Sequence, residues 1–133
     1  MALGAGEILL TSVDREGTGL GFDLDSIARI ARRVSVPVLV SGGAGALDQF
    51  DAAAGEAGAD GFCLASMLHY KALEENPCLA GDCSRVFRGG FAKVQGATIP
   101  EVKAHLRARG IDCRPPDASV TASARHASTG QSA

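Results

Sequence analysis

Two short stretches in the first half of the chain carry the residue types and spacing that bind phosphate. Ser41-Gly42-Gly43 follows a buried apolar run and precedes a helical pattern, and Ala65-Ser66 occupies the equivalent place one strand later. Glycines let a backbone approach an anion closely, and the N–H groups at the start of a helix point toward it. Because neighbouring parallel strands end at one edge, the two stretches can clasp a single phosphate. The alternative is that both are only tight turns.

A charged turn after the first apolar run supplies the other candidate groups. Asp14 and Glu16 flank Arg15, and Gly17 lets the turn fold tightly. A carboxylate at this place can orient a substrate hydroxyl or act as an acid or base. Thr11, at the end of the first strand, can donate a hydrogen bond into the mouth of the barrel. The alternative is a solvated loop held by local ion pairs, which the charges alone favour.

The spacing of cysteine and histidine gives little support for a metal site. Cys78 and Cys83 lie close together and His69 lies upstream, but no second pair follows. The spacing is also looser than in zinc-binding motifs. Free thiols are the preferred interpretation, with Cys63 as core packing. We therefore expect neither a metal nor a cofactor.

The composition is that of one globular domain. The 133 residues include 46% hydrophobic and 21% charged residues, with a net charge of -2 and four cysteines. A mildly acidic chain with few aromatics lacks the basic surface that nucleic acid requires. No apolar run reaches the roughly 20 residues of a membrane helix, and no signal-peptide pattern opens the chain. We expect a cytoplasmic protein with reduced thiols and with no nucleic-acid or membrane partner.

Strands and helices are predicted to alternate along the first half of the chain. Strands are expected over 3–12, 36–40 and 61–65, and helices over about 23–34 and 47–57, from 67 onward, and over 98–109. The second strand is nearly all apolar and β-branched, as is typical of a strand covered on both faces. Thr98 and Glu101 have the spacing of a capping box. Buried strand, polar loop and helix form the repeating unit of an α/β barrel.

One partial barrel domain is predicted over residues 1–114. An insertion at about 72–96 interrupts the strand–helix rhythm, and we expect it on the loop face. The stretch 115–133 is rich in Ser, Thr, Ala and Gly with few apolar residues, which predicts a disordered tail.

Together these residues resemble the C-terminal part of the cyclase subunit of imidazole glycerol phosphate synthase. The resemblance covers most of residues 3–71 and 97–114. The matching runs are Gly4–Thr18, Gly21–Asp23, Pro37–Gly45, Gly58–Asp60, Ala65–Ser66 with His69, and Glu101–Gly110.

The resemblance implies an α/β fold, a (β/α)₈ TIM barrel of which this chain holds the sixth, seventh and eighth units. It implies a lyase of histidine biosynthesis, in which ammonia from a glutaminase subunit reacts with a phosphoribulosyl aminoimidazole carboxamide ribonucleotide. Glu7 would belong to the charged gate where ammonia enters the barrel, and Glu16 stands where the family usually has aspartate. The residues that would bind the phosphorylated substrate are Thr11, Glu16, Gly17, Ser41, Gly43, Ala65 and Ser66.

The same resemblance implies that the catalytic aspartates lie on earlier strands, outside this chain. We therefore expect no catalytic residue here and no activity from the chain alone. An N-terminal half-barrel or self-association would complete the barrel, because exposed strand edges invite pairing. Two other functions stay open: a non-catalytic phosphosugar-binding half-barrel, and a cyclase-like subunit of a sugar-modifying amidotransferase.

Overall fold

A three-stranded parallel sheet organises the N-terminal part of the chain. The computed structural model describes residues 4–75 and 93–115. The strands lie in the order β1-β2-β3, and each is followed by a helix. This confirms the predicted α/β class. The elements are β1 (Ile8–Thr11), α1 (Leu24–Ala31), β2 (Val38–Ser41), α2 (Gln49–Gly55), β3 (Gly61–Cys63), α3 (Ser66–Glu75) and α4 (Ile99–Ala108).

The register of the sheet brings the ends of the three strands side by side. Leu9 pairs with Leu39, Thr11 pairs with Ser41, and Ser41 pairs in turn with Cys63. Paired residues of parallel strands share one face, and successive residues alternate between the two faces. The three loops that follow these strands therefore leave the sheet on the same side, at the carboxyl ends of the strands.

One face of the sheet is buried under the helices. Val38 and Val40 of β2 are each 1% exposed, and α1 contacts both β2 and α2. Three phenylalanine rings form the centre of this core, with centroids 4.8 to 5.4 Å apart in Phe22, Phe50 and Phe62. Because these rings come from the loop after β1, from α2 and from β3, they hold three successive units together.

The opposite face of the sheet is largely uncovered. Leu9 is 59% exposed, and Thr11 on the same face of β1 is also exposed. Leu39 and Ser41, their partners on β2, are half-buried. Within the described residues, no further strand pairs with the outer edge of β1 or of β3. The sheet thus has an accessible apolar face and two open edges in the part of the chain described.

Several elements are shorter than the sequence predicts. α1 ends at Ala31 because Arg33 N–H bonds the Ile30 carbonyl at 2.8 Å, which closes a tight turn. α2 ends at Gly55, and the N–H groups of the next two residues share one carbonyl, that of Ala52. β2 begins only at Val38, after a proline that has no N–H to donate.

Helix α3, predicted from residue 67 onward, extends into the predicted insertion. It runs from Ser66 to Glu75, so the first residues of the predicted insertion at about 72–96 are helical. Residues 93–97 return to the sheet region, where Gln95 N–H donates to the Gly45 carbonyl at 2.7 Å and Ala97 N–H to the Met67 carbonyl at 3.1 Å. The rest of the insertion, with Cys78 and Cys83, lies outside the described residues.

The chain divides into two compact units, Met1–Thr98 and Ile99–Ala133. The sheet belongs to the first unit. In the second, α4 buries Val102 and Leu106 and ends before Gly110, whose φ of 76° suits a helix end. The extent of one barrel domain and the disordered tail stay predictions, since residues 116–133 fall outside the described ranges.

No helix in the described ranges is both long and apolar enough to cross a membrane.

A carboxylate caps the start of helix α1, which the sequence predicts at about residue 23. Asp23 Oδ1 accepts a hydrogen bond from Ser26 N–H at 3.1 Å, and Oδ2 lies 3.5 Å from the Ser12 hydroxyl. The pKa of Asp23 is lowered below its ordinary 3.8 by hydrogen bonds with the side chain and the N–H of Ser26. The positive charge of Arg15 lowers it further. The ionised cap therefore ties the loop after β1 to the start of the helix.

Replacing this cap should lower the stability of the protein in a pH-dependent way. Asp23→Ala should reduce the free energy of unfolding at pH 7 by about 1 kcal/mol. Because the pKa is lowered in the folded state, the ionic part of this stabilisation is complete above 3.8 and is lost as the pH falls through the folded pKa. Urea unfolding of both proteins at pH 7 and at acid pH measures the difference. Asp25→Ala, at an exposed position of the same turn, is the control, and an equal loss there would contradict the assignment.

Candidate functional site

A cavity of about 130 Å³, called the cup below, lies at the carboxyl ends of the three strands. The loops after all three strands contribute to it. Every residue of the predicted phosphate site except Thr11 lines the cup. The lining residues are Glu16, Gly17, Ser41, Gly42, Gly43, Ala44, Cys63, Leu64, Ala65, Ser66 and Met67.

The turn after β1 places Glu16 and Gly17 in the cup. Glu16 N–H donates to the Ser12 carbonyl at 3.0 Å, and the Thr18 hydroxyl donates to the Arg15 carbonyl at 2.8 Å. Gly17 has a φ of 69°, which L side chains rarely adopt. These bonds turn the chain back, so the Glu16 carboxylate lies against Gly42: a Cβ there would be 3.1 Å from Glu16 Oε2.

The loop after β2 requires glycine at two successive positions. Gly42 and Gly43 have φ values of 92° and 98°. A Cβ on Gly42 would lie 2.7 Å from the Ser12 carbonyl oxygen, and one on Gly43 would collide with the carbonyl of Gly21. Gly21 N–H donates to the Gly43 carbonyl at 2.8 Å, which joins the first two loops directly. The close contacts thus exclude side chains at Gly42 and Gly43, and the backbone of these two residues forms one wall of the cup.

The start of helix α3 forms the facing wall. Ser66 is the first helical residue, and the Ala65 carbonyl accepts from His69 N–H at 2.9 Å. Met67 is 1% exposed and anchors the helix start. Within residues 4–75 and 93–115, no hydrogen bond engages the N–H groups of Gly43, Ala65 or Ser66. Such groups, with the positive end of the helix dipole, form an environment suited to an anion.

Gln49 is a residue of this region that the sequence interpretation missed. Its Oε1 accepts hydrogen bonds from the N–H groups of Gly45 and Ala46 at 2.8 and 3.1 Å, and its Nε2 donates to the Gly19 carbonyl at 3.4 Å. The available signal was a polar side chain at the start of a predicted helix, where orphan N–H groups need an acceptor. Asp48, the residue before it, makes no side-chain capping bond.

Three other residues need separate mention: one lines the cup unexpectedly, and two lie away from it. Cys63, expected as core packing, is a half-buried free thiol that lines the cup, because it pairs with Ser41 on the open face. Thr11 is exposed and borders a separate cavity of about 80 Å³. Glu7 is exposed and precedes β1, so it lies at the end of the strand opposite to the cup.

No cluster of three His, Cys, Asp or Glu side chains suited to a metal ion occurs in the part of the chain that the structure describes. The ring of His69 packs edge-on against that of Tyr70, with centroids 5.7 Å apart.

The fold and the cup define an α/β protein with a small polar cavity at the carboxyl ends of parallel strands, the end at which α/β barrels hold their ligands. Comparison with known families agrees with this class. The chain belongs to the histidine biosynthesis protein family, whose family model matches residues 1–74.

The chain is similar to several proteins named imidazole glycerol phosphate synthase subunit HisF. It is 42% identical to that of Pyrobaculum aerophilum and 43% identical to that of Mycobacteroides abscessus, each over 112 residues, or 84% of this chain and 34% of the relative. It is 56% identical to that of Streptomyces coelicolor over 68 residues, 51% of this chain and 27% of the relative. The resemblance inferred from the sequence is confirmed, and the chain spans about a third of the length of these relatives.

Gly43→Ala should destabilise the protein because a Cβ cannot be accommodated beside Gly21. The positive φ adds strain, so the free energy of unfolding should fall by more than about 1 kcal/mol. Gly55→Ala is the matched control, since a Cβ at that position meets no atom within 4 Å. Urea unfolding followed by circular dichroism compares the two variants. Equal stabilities of the two variants would contradict the close approach of the loops.

Proposed function

We propose that this chain forms the phosphate-binding part of an imidazole glycerol phosphate synthase cyclase barrel. One observation carries the proposal: the loops after three successive strands, far apart in sequence, converge on a single cup. Its volume of about 130 Å³ is close to that of an engineered cavity of about 150 Å³ that holds benzene, which is enough for a phosphate group. The predicted residues that meet there are Glu16, Gly17, Ser41, Gly43, Ala65 and Ser66.

In the proposed complex, the phosphate group of a phosphorylated small-molecule substrate lies between the two walls of the cup. The N–H groups of Gly43, Ala65 and Ser66 donate hydrogen bonds to its oxygens, and the Ser66 hydroxyl adds another. Hydrogen bonds to a charged group are stronger than those between neutral groups. The Glu16 carboxylate, which accepts only, orients a substrate hydroxyl beside the phosphate.

The substrate class follows from the family and remains part of the proposal. Ammonia from a glutaminase subunit reacts with the phosphoribulosyl aminoimidazole carboxamide ribonucleotide, and the cup holds the phosphate at one end of that molecule. Glu7, at the opposite end of β1, belongs to the proposed gate for ammonia. This arrangement separates the entry of ammonia from the phosphate site by the length of a strand.

The acid and base of the reaction come from outside the cup in this proposal. Among its described lining residues, Glu16 is the only carboxylate, and one carboxylate does not supply a separate acid and base. We propose that a (β/α)₈ barrel is completed around these three units by an N-terminal half-barrel or by another copy of the chain. The exposed Leu9 face and the open edges of β1 and β3 support this.

The scarcity of carboxylates in the cup also favours a second candidate, a non-catalytic phosphosugar-binding half-barrel. That candidate needs the same cup and no chemistry. Binding and turnover therefore have to be measured separately.

Binding of a phosphate monoester by the full chain tests the cup. In a titration with glycerol phosphate followed by amide NMR, the signals of Gly43, Ala65 and Ser66 should shift. Ser66→Ala should raise the Kd about tenfold, since a hydrogen bond to a charged group is worth about 1.5–3 kcal/mol. Ser35→Ala, at an exposed serine away from the cup, should bind as the unsubstituted chain does. No shift at the cup amides would overturn the proposed site.

Turnover with a complementary half-barrel tests the cyclase assignment. The chain is mixed with the separately expressed N-terminal half of a HisF relative, and ammonia-dependent loss of the ribonucleotide is followed. We expect activity in the mixture and none with either part alone. Activity of the chain alone would contradict an external acid and base. A folded, associated mixture that binds phosphate without turnover would favour the binding module, or a different substrate such as that of a sugar-modifying amidotransferase.

A further inference from the structure

We propose that Gln49 is a positioning residue that fixes the loop after β2 and thereby sets the affinity of the cup for phosphate. The inference rests on the proposed function, because it concerns the same cup. Gln49 does not line the cavity. It acts through the backbone of the loop that does.

The side chain of Gln49 joins two loops that carry the cup. Its Oε1 accepts from the N–H groups of Gly45 and Ala46, in the loop after β2. Its Nε2 donates to the carbonyl of Gly19, in the loop after β1. One amide group thus satisfies three backbone groups, and it uses both its acceptor and its donor to do so.

The two loops approach so closely that no side chain fits at Gly45. A Cβ on Gly45 would collide with the Gly19 carbonyl. Gln49 reaches the same place from the first residue of α2. A helix is a stiff support, and it therefore holds a glycine-rich segment that would otherwise be mobile.

Holding this segment in place should matter for binding because Gly43 lies two residues before Gly45. Glycine loses more conformational freedom on ordering than any other residue, and a loop ordered in advance does not lose that freedom when the ligand binds. A loop released from Gln49 would have to be ordered by the phosphate itself. The cost would appear in the Kd.

Gln49 also decides which donors remain for the anion. The N–H groups of Gly45 and Ala46 are engaged by its Oε1, so they are not presented to a ligand. The N–H group of Gly43 stays available and faces the N–H groups of Ala65 and Ser66 across the cup. The bridge therefore places the phosphate between the two walls rather than at the start of α2.

A nearby glutamine provides a matched control. Gln95 is exposed and contacts Gly45 only through its backbone N–H, which donates to the Gly45 carbonyl at 2.7 Å. Replacing its side chain leaves that bond in place. Gln49→Met and Gln95→Met therefore make the same chemical change on two sides of Gly45, and only the first removes a side-chain bridge.

The test measures the Kd of inorganic phosphate by calorimetry for the full chain and both variants, well below their unfolding temperatures. We expect Gln49→Met to raise the Kd about tenfold, equivalent to about 1.4 kcal/mol, while Gln95→Met leaves it unchanged. A purely structural role would lower the melting temperature and leave the Kd of the folded protein unaltered.

Amide hydrogen exchange in the unsubstituted chain gives a second measurement that does not depend on a variant folding. The amides of Gly45 and Ala46 should exchange slowly with and without phosphate, because Gln49 holds both. Exchange as fast as that of an exposed loop would overturn the inference.

The outcomes separate this inference from the proposed function. If the unsubstituted chain binds no phosphate, the phosphate site itself is wrong and the role of Gln49 is overturned with it. If the chain binds phosphate and Gln49→Met binds equally well, only the role of Gln49 is overturned. A tenfold loss confined to Gln49→Met supports both.

Discussion

The close approach of two glycine backbones is the constraint on which the cup depends. Gly21 N–H donates to the Gly43 carbonyl at 2.8 Å, and a Cβ on Gly43 would occupy the space of the Gly21 carbonyl. The same two loops come equally close at Gly19 and Gly45, where a Cβ on Gly45 would occupy the space of the Gly19 carbonyl. Because no side chain intervenes, backbone N–H groups form the wall of the cup. A wall of this kind presents donors that cannot rotate away.

Parallel pairing explains why loops from distant parts of the sequence meet at this place. The strands all run in the same direction, so the chain must cross back through a helix before the next strand begins. The loops that follow the strands therefore all lie at the carboxyl ends of the sheet. The ring cluster of Phe22, Phe50 and Phe62 then fixes the spacing of the units. Side-chain alternation sends Ser41 and Cys63 to the open face, where the thiol meets the cup instead of the core.

The charge balance of the cup can be judged from magnitudes. Glu16 brings a carboxylate beside Gly42, and a phosphate nearby would be repelled by it. At 4 Å, two unit charges of the same sign repel by about 1 kcal/mol in bulk water and by about 4 kcal/mol near a protein surface. Hydrogen bonds from backbone N–H groups to a charged oxygen are worth about 1.5–3 kcal/mol each. Two or three such donors together match or exceed that repulsion, so one carboxylate is compatible with the proposed phosphate site.

The sequence alone determined the α/β class, and its two turns at Ser41–Gly43 and Ala65–Ser66 predicted residues that line the cup, because both depend on local chemistry. A β-branched apolar run predicts a covered strand, and a serine–glycine turn before a helix predicts an anion site. The tertiary structure decided what depends on contacts between distant segments. It placed Thr11 outside the cup and Cys63 within it, and it extended α3 to Glu75.

The bridge made by Gln49 shows the physical reason for this division. Its partners, Gly19 and Gly45, lie on different loops, and nothing in the local sequence specifies that they come together. Only the packing of neighbouring strands brings their carbonyl and N–H groups within reach of one side chain. Residue type and spacing thus indicated which groups could bind an anion, whereas the tertiary structure showed which side chain joins the two loops beside them.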